Sequence, residues 1–141
     1  MRELILLRAL PGAGKTTFAK FLLNNLNPDL DVTICAADDY FYDESGKYNF
    51  DASQLHFAHL SCQQNVEIAM QRAARDNLKS VIIVHNTNTT PKEIRPYEQM
   101  AVTYSYKLTS LIVENRHGNR SVHGVPAEAM DRMRNRFQVQ L

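Results

Sequence analysis

Leu4-Ile5-Leu6-Leu7-Arg8-Ala9-Leu10-Pro11-Gly12-Ala13-Gly14-Lys15-Thr16-Thr17 is the stretch that decides the fold. An apolar run of strand length enters a turn rich in Gly and Pro. A helical pattern follows through Phe18, Ala19, Phe21, Leu22, Leu23 and Leu26. The turn closes on Gly14-Lys15-Thr16, the end of the pattern G-x-x-x-x-G-K-[ST]. Glycines let backbone N–H groups converge on one point, and the start of a helix adds partial positive charge. The segment Pro11-Gly12-Ala13-Gly14-Lys15-Thr16-Thr17 therefore reads as a cradle for nucleotide phosphates. In this pattern Lys15 reaches the β- and γ-phosphates of ATP, and the Thr16 hydroxyl is the Mg²⁺ ligand. Ala9 stands where the pattern has its first glycine. A tight turn is expected there, and alanine accepts unusual backbone angles less readily than glycine.

Working outward, strand-like and helix-like segments alternate. After the first helix fades near Asn24–Asn25, Asn27-Pro28-Asp29 marks a turn and Val32-Thr33-Ile34-Cys35 a second strand. That strand ends at Ala36-Ala37-Asp38-Asp39-Tyr40, and a polar, aromatic loop runs to Phe50. A long helix is expected from about Asp51, with apolar positions Leu55, Ala58, Cys62, Val66, Ala69 and Ala73 in steps of three or four. Asp51 and Gln54 resemble a capping box at its start. Val81-Ile82-Ile83-Val84 is an unbroken β-branched run, as in a parallel strand buried on both faces. Thr90-Pro91-Lys92-Glu93 is a helix start: N-cap, proline at the first helical position, glutamate at the third. Leu108–Val113 forms a fourth strand. Pro126 opens a last helix with Met130, Met133 and Phe137 on one face. The pattern predicts an α/β protein with a helix-covered parallel sheet of about four to five strands, joined by right-handed crossovers.

Bulk properties narrow the class. A chain of 141 residues is most simply a single domain, spanning 1–141, with a core of its own. Composition, 44% hydrophobic and 22% charged, is that of a soluble globular protein, and a net charge of +1 advertises no polyanion-binding field. Cys35 and Cys62 have no metal-type spacing and read as buried reduced thiols, which points to an intracellular, cytoplasmic protein. No stretch approaches a membrane span. Charge is unevenly spread. Asp29, Asp31, Asp38, Asp39, Asp43, Glu44 and Asp51 face only Lys47 in their segment, whereas Arg116, Arg120, Arg132, Arg134 and Arg136 gather near the end. Two specialised ends, or two solvated surfaces, would each produce this asymmetry.

In sheets of this kind, ligands bind beyond the carboxyl ends of the strands. The loop at Gly12–Thr16, Asp38/Asp39, His85–Asn88 and Arg116–Arg120 all follow strands, so all are expected on one rim. Asp38 is the candidate general base for an acceptor hydroxyl, within reach of a phosphate held at Lys15. Adjacent carboxylates alternate sides along an extended chain, which leaves Asp39 to support the loop. His85 and Asn86 stand where many P-loop ATPases carry acids, so hydrolysis by water is poorly equipped. Asn86, Thr87 and Asn88 offer neutral hydrogen-bonding groups to Mg²⁺-bound water or substrate, and His85 is a candidate packed histidine. Arg116 and Arg120 flank Gly118 ahead of a helix and suit a mobile, phosphate-clamping lid. The rings of Tyr40, Phe41, Tyr42, Tyr48 and Phe50 either pack their loop down or stack on bases.

The motifs L-R-x-L-P-G-x-G-K-[ST], A-D-D-Y-F, Y-x-F-D-x-x-x-L-x-x-A-H, N-T-N-T and H-G-V-P occur in that order from Leu4 to about Arg136. Together they resemble the P-loop polynucleotide 5′-hydroxyl kinase family. The nearest likeness is to the kinase-like domains of a ubiquitin-ligase-binding protein and its relatives. Phage-type polynucleotide kinase and the N-terminal domain of cyclic-nucleotide phosphodiesterase are more distantly similar. The resemblance implies a P-loop NTPase three-layer sandwich with an arginine-bearing lid. It implies ATP and Mg²⁺ at Gly12–Thr17, centred on Lys15 and Thr16. It further implies Asp38 as general base on the 5′-hydroxyl of a DNA or RNA end, and Arg120, with Arg116 as a second, on the phosphates. Two positions depart from the phage-type pattern. Phe41 replaces an arginine that contacts the acceptor phosphate, and Asn86 replaces an acid. A small-molecule or nucleoside kinase on the same fold, and a non-catalytic ATP-binding regulatory module, remain alternatives.

Overall fold

Strands β1 (Arg2–Arg8), β2 (Asp31–Cys35), β3 (Ser80–Val84) and β4 (Lys107–Ile112) form one sheet in the order β2-β3-β1-β4. Every pairing is parallel. The computed structural model describes residues 1–114 and 124–137. Helices α1 (Lys15–Asn25), α2 (Leu55–Arg75) and α3 (Pro91–Thr103) make the three crossovers, and α4 (Ala127–Arg136) follows β4.

Side-chain alternation along β1 explains the layering. Leu4 and Leu6 face one way, with Ile82 and Val84 of β3 in register beside them, and meet Ala58, Cys62, Val66, Ala69 and Met70 of α2 and Ile94 and Tyr97 of α3. Ile5 and Leu7 face the other way, with Val81 and Ile83, and meet Phe18, Ala19 and Leu22 of α1. All five residues of β3 are buried, as its unbroken apolar run predicts. Each fully buried Leu, Ile or Val contributes about 1.5–3 kcal/mol relative to exposure, so the two central strands carry much of the stability. Both cysteines are free and buried.

Two local starts differ from expectation. The long helix begins at Leu55, preceded by a separate 3₁₀ turn over Ala52–Gln54. The Asp51 carboxylate accepts from Ser53 N at 3.0 Å and from Ser53 Oγ at 2.7 Å, which closes a tight turn. Gln54 does not reach back to complete a capping box; its side-chain oxygen accepts from the Tyr40 hydroxyl at 3.1 Å. The segment after β2 is likewise a 3₁₀ turn, Ala37–Phe41, and not an extended chain. The turn at Asn27 and the α3 start match the sequence reading: Asn27 Oδ1 accepts from Asp29 N at 2.9 Å, and Glu93 completes the cap at Thr90.

Helix α4 has no fully buried residue. It is tied down at its end, where the Phe137 ring lies under the Arg8 guanidinium at 5.1 Å and Arg136 Nε donates to Thr89 Oγ1 at 3.1 Å. No helix among the described residues is long and apolar enough to cross a membrane.

Candidate phosphotransfer site

The glycine-rich loop leaves the buried strand β1 and turns directly into α1. Gly12 (φ 79°) and Gly14 (φ 102°) occupy left-handed conformations that a side chain would strain. Ala9 does not: its φ is negative, and its methyl is buried. The glycine-to-alanine departure therefore costs no backbone strain, because the turn's unusual angles fall at positions 12 and 14. Ala13 packs inward and its N–H donates to Leu10 O at 3.2 Å, while Pro11 is half-buried. Gly14 is the N-cap of α1, with no side-chain cap and no acid in the first turn. The first turn, with Thr16 and Thr17 exposed, thus presents backbone donors that no side chain of the described chain satisfies. Lys15 Nζ folds back to donate to Ala9 O at 3.1 Å and Leu10 O at 3.4 Å. Burial lowers its pKa to about 8, against the opposing pull of Asp38. A lysine curled over an uncapped helix start suits an incoming anion, and triphosphate fits this donor set.

Asp38 sits on the 3₁₀ turn after β2. Successive side chains there are separated by roughly a third of a turn, so Asp38 and Asp39 diverge by helical rotation and not by strand alternation. Asp39 turns back to accept from Ala36 N at 3.3 Å, supporting the loop. Asp38 Oδ1 accepts from the Tyr48 hydroxyl at 3.3 Å. Burial, reinforced by the Asp38 charge, pushes the Tyr48 phenol up to about 12, so it stays a donor throughout the physiological range.

Asn86 plays a different part from the one its position suggests. It is buried, and both ends of its amide are engaged within the fold. Its Oδ1 accepts from Ala37 N at 2.7 Å, at the start of the turn that carries Asp38. Its Nδ2 donates to the Tyr97 hydroxyl at 3.2 Å, and that hydroxyl donates to Cys62 Sγ at 3.3 Å. Asn86 is therefore a strut between β3, α2, α3 and the Asp38 turn, and it is not exposed to Mg²⁺-bound water or substrate. His85 is half-buried and its main chain pairs with Cys35 O at 3.1 Å; burial lowers its pKa, as for a packed histidine. Asn88 is buried with φ 46°, its carbonyl accepting from Arg8 Nε at 2.9 Å.

Loops after β1, β2 and β3 thus share the carboxyl edge of the sheet, as expected. Arg116 and Arg120 lie outside the described residues. Two residues were not singled out by sequence reasoning. Arg8 is 1% exposed at the end of β1, where it donates to Asn88 O, and the only signal was a charge ending an apolar strand. Tyr48 was one of five loop aromatics, with nothing to set it apart before the fold brought it to Asp38. The acid-rich segment also resolves: Asp31 pairs with Arg72 at 2.7 Å, while Asp39, Asp43 and Asp51 bond to neighbouring backbone. These four acids act as local scaffolding.

Comparison with known proteins agrees with this fold. Residues 4–139 match the family model described as an AAA domain. Human NEDD4-binding protein 2 is 33% identical over 142 aligned residues, covering 96% of this chain, which spans only 8% of that protein. Among solved structures, Kti12 of Chaetomium thermophilum in complex with ADP-AlF3 superposes with a TM-score of 0.65 at 14% identity. That match covers 96% of this chain and 80% of Kti12. A chain of the Pnkp1/Rnl/Hen1 RNA repair complex gives 0.61 at 16% identity, over 96% of this chain and 44% of the other. At such identities the structural likeness shows the fold. With the match over nearly its whole length, the chain belongs to this AAA domain family, and it shares the α/β fold of these P-loop neighbours.

Proposed function

We propose that the chain is a single-domain, ATP- and Mg²⁺-dependent kinase that transfers the γ-phosphoryl group to a polynucleotide 5′-hydroxyl. The observation that carries this reading is that the uncapped start of α1, with Lys15 in its first turn, and the 3₁₀ turn bearing Asp38 both lie at the carboxyl edge of one parallel sheet. That arrangement suits a donor phosphate on one side and an acceptor hydroxyl on the other. The likeness to a chain of an RNA repair complex supports a nucleic-acid end as acceptor.

Each residue then has a defined task. The backbone N–H groups of Gly12–Thr17 and the Lys15 ammonium hold the β- and γ-phosphates. Mg²⁺, when bound, neutralises phosphate charge. It would rest on the Thr16 hydroxyl and phosphate oxygens, an arrangement that needs no cage of protein carboxylates. Asp38 accepts the proton of the acceptor hydroxyl as its oxygen bonds to phosphorus and the bond to the leaving ADP breaks. Tyr48 orients that carboxylate through its hydroxyl, and Asn86 fixes the turn beneath it. Arg116 and Arg120 add positive charge to the transferring phosphates, a role that rests on the sequence resemblance alone.

Labelled ATP, offered first with a 5′-hydroxyl oligonucleotide and then with a nucleoside panel, tests the proposal. Transfer to the oligonucleotide is expected, and Asp38→Asn should lower kcat by about 10²- to 10⁴-fold while ATP affinity stays within a few-fold. Equal turnover in that variant would remove the base. Phe41 favours the second reading, a nucleoside or small-molecule kinase. It fills, as a buried ring, the place of the arginine that holds an acceptor phosphate in the resembled enzymes. Transfer to nucleosides alone would select it, and ATP binding without transfer would select a regulatory module.

A further inference from the structure

Beside Asp38 lies a built aromatic surface that the phosphate chemistry leaves unused. Phe41 is its buried hub, 5% exposed, with Tyr40, Tyr48 and Phe50 at centroid distances of 5.4, 6.2 and 5.1 Å. Tyr42 lies 5.2 Å from Tyr48. The hub and Tyr48 pack the loop down, but Tyr40, Tyr42 and Phe50 are 43, 46 and 55% exposed. Exposed rings in that number, next to a charged group and joined through Tyr48 to Asp38 itself, are more than loop packing requires. The loop that presents them is held in shape. Asp43 accepts from Ser45 N and Lys47 N at 2.9 Å each and from Asn49 Nδ2 at 3.2 Å, and Tyr42 and Tyr48 form an antiparallel bridge.

The charge of the segment that carries these rings disfavours one mode of binding. Asp38, Asp39, Asp43, Glu44 and Asp51 share their segment, where Lys47 is the one basic residue between Pro28 and Asp51. A groove that tracks a phosphate backbone needs the opposite balance. Stacking on a base needs no charge and accepts any base, since each has a π-face.

Resting on the kinase reading above, we propose that the acceptor is held by its terminal base, stacked on the exposed rings of Tyr42 and Phe50, and not by its phosphates. The acceptor class is then a nucleoside-terminated 5′-hydroxyl with an unpaired base, either a single-stranded end or a short oligonucleotide. Tyr48, which packs against both Phe41 and Tyr42 and donates to Asp38, ties this surface to the general base that takes the 5′-hydroxyl proton. Because no backbone phosphate is gripped, lengthening the acceptor adds little, and salt changes its binding little.

The test compares two 5′-hydroxyl dinucleotides, one with a normal 5′ base and one abasic at that residue, each with ATP and Mg²⁺. The abasic acceptor should show a KM raised about 5- to 100-fold, the range that base–ring stacking supplies. The KM for ATP should not change. Tyr42→Leu, which keeps apolar packing, should raise the KM for the base-bearing acceptor and leave the abasic one unaffected; Phe50→Leu is the second probe if Tyr42→Leu lowers the melting temperature. Raising salt from about 50 to 200 mM should change the KM by less than about two-fold, where a contact set of several phosphates loses orders of magnitude. Equal use of both acceptors, equal effects of Tyr42→Leu on both, or steep salt dependence overturns the stacking proposal while the kinase reading stands. Binding of ATP with transfer to neither acceptor overturns both.

Discussion

Helices α1 and α3 both start at the carboxyl edge of the sheet, behind the two central strands, and they solve the same problem in opposite ways. The first N–H groups of any helix lack partners within it. At α3 the chain supplies its own anion: Glu93 reaches back to Thr90 N at 3.3 Å and to Thr89 Oγ1 at 3.1 Å, behind a proline at the first position. At α1 there is no side-chain cap, the N-cap is a left-handed glycine, and a lysine stands where an acid would help. One terminus is complete in the free protein, and the other becomes complete with a ligand's negative charge. The same backbone physics thus yields a structural joint at one place and a binding site at the other, and the third helical residue, Glu93 against Thr17, separates them.

The largest expected effect comes from stripping the open terminus. Lys15→Ala should reduce phosphoryl transfer by about 10²- to 10³-fold, as for loss of one preorganised donor. Single-turnover rates would reveal it, and wild-type rates would refute the assignment. Thr17→Glu should convert the open terminus toward the closed one. The new carboxylate would cap α1, raise the melting temperature of the free protein, and weaken ATP binding by about ten-fold through repulsion and competition. If calorimetry shows unchanged ATP affinity, the two termini do not differ as described. Opening the closed terminus with Glu93→Ala should cost about 1–3 kcal/mol in denaturant unfolding, because Thr89 is fully buried and its N–H loses its acceptor.

A pH dependence sharpens the comparison further. Free Lys15, with a pKa of about 8, loses its proton below the ordinary lysine range. ATP prefers the charged ammonium, so the part of its affinity due to Lys15 is complete below pH 8 and falls as pH rises through 8. Binding above that point should take up a proton. Titration calorimetry in buffers of different ionisation enthalpy measures this, and Lys15→Ala should abolish it. Between about 8 and 10.5 the unfolded chain holds more protons at this residue than the folded one. The stability contribution of Lys15 to the nucleotide-free protein therefore rises with pH in that window. The smallest effect belongs to Ala9→Gly: about 0.5–1 kcal/mol of lost stability, since position 9 gains only backbone freedom and loses a buried methyl.

These contrasts also show what a sequence carries. The β1 and β3 runs, the α3 cap and the glycine-rich turn were legible because each is set by neighbours within a few residues. Thr90, Pro91 and Glu93 act on one another directly. The 3₁₀ turn at Asp38 was not legible, because its geometry depends on Asn86, which is distant in the chain and met only after β3 pairs with β2. Asn86 accordingly looked like a hydrogen-bonding group for Mg²⁺-bound water or substrate and proved to be internal framework. The hydrogen bond between Tyr48 and Asp38 depends on a loop folding back on itself, and no periodicity announces that. Short-range structure was read well, and the support beneath the candidate residues came from contacts that only the tertiary fold creates.

Strand β1 is hydrogen-bonded on both sides, to β3 and to β4, and the phosphate loop grows from its end. Its amide protons should therefore be among the last in the molecule to trade for deuterium, leaving only when the whole sheet comes apart. A loop rooted there inherits that permanence: the outer helices can fray and reform many times while the cradle for the nucleotide keeps its shape.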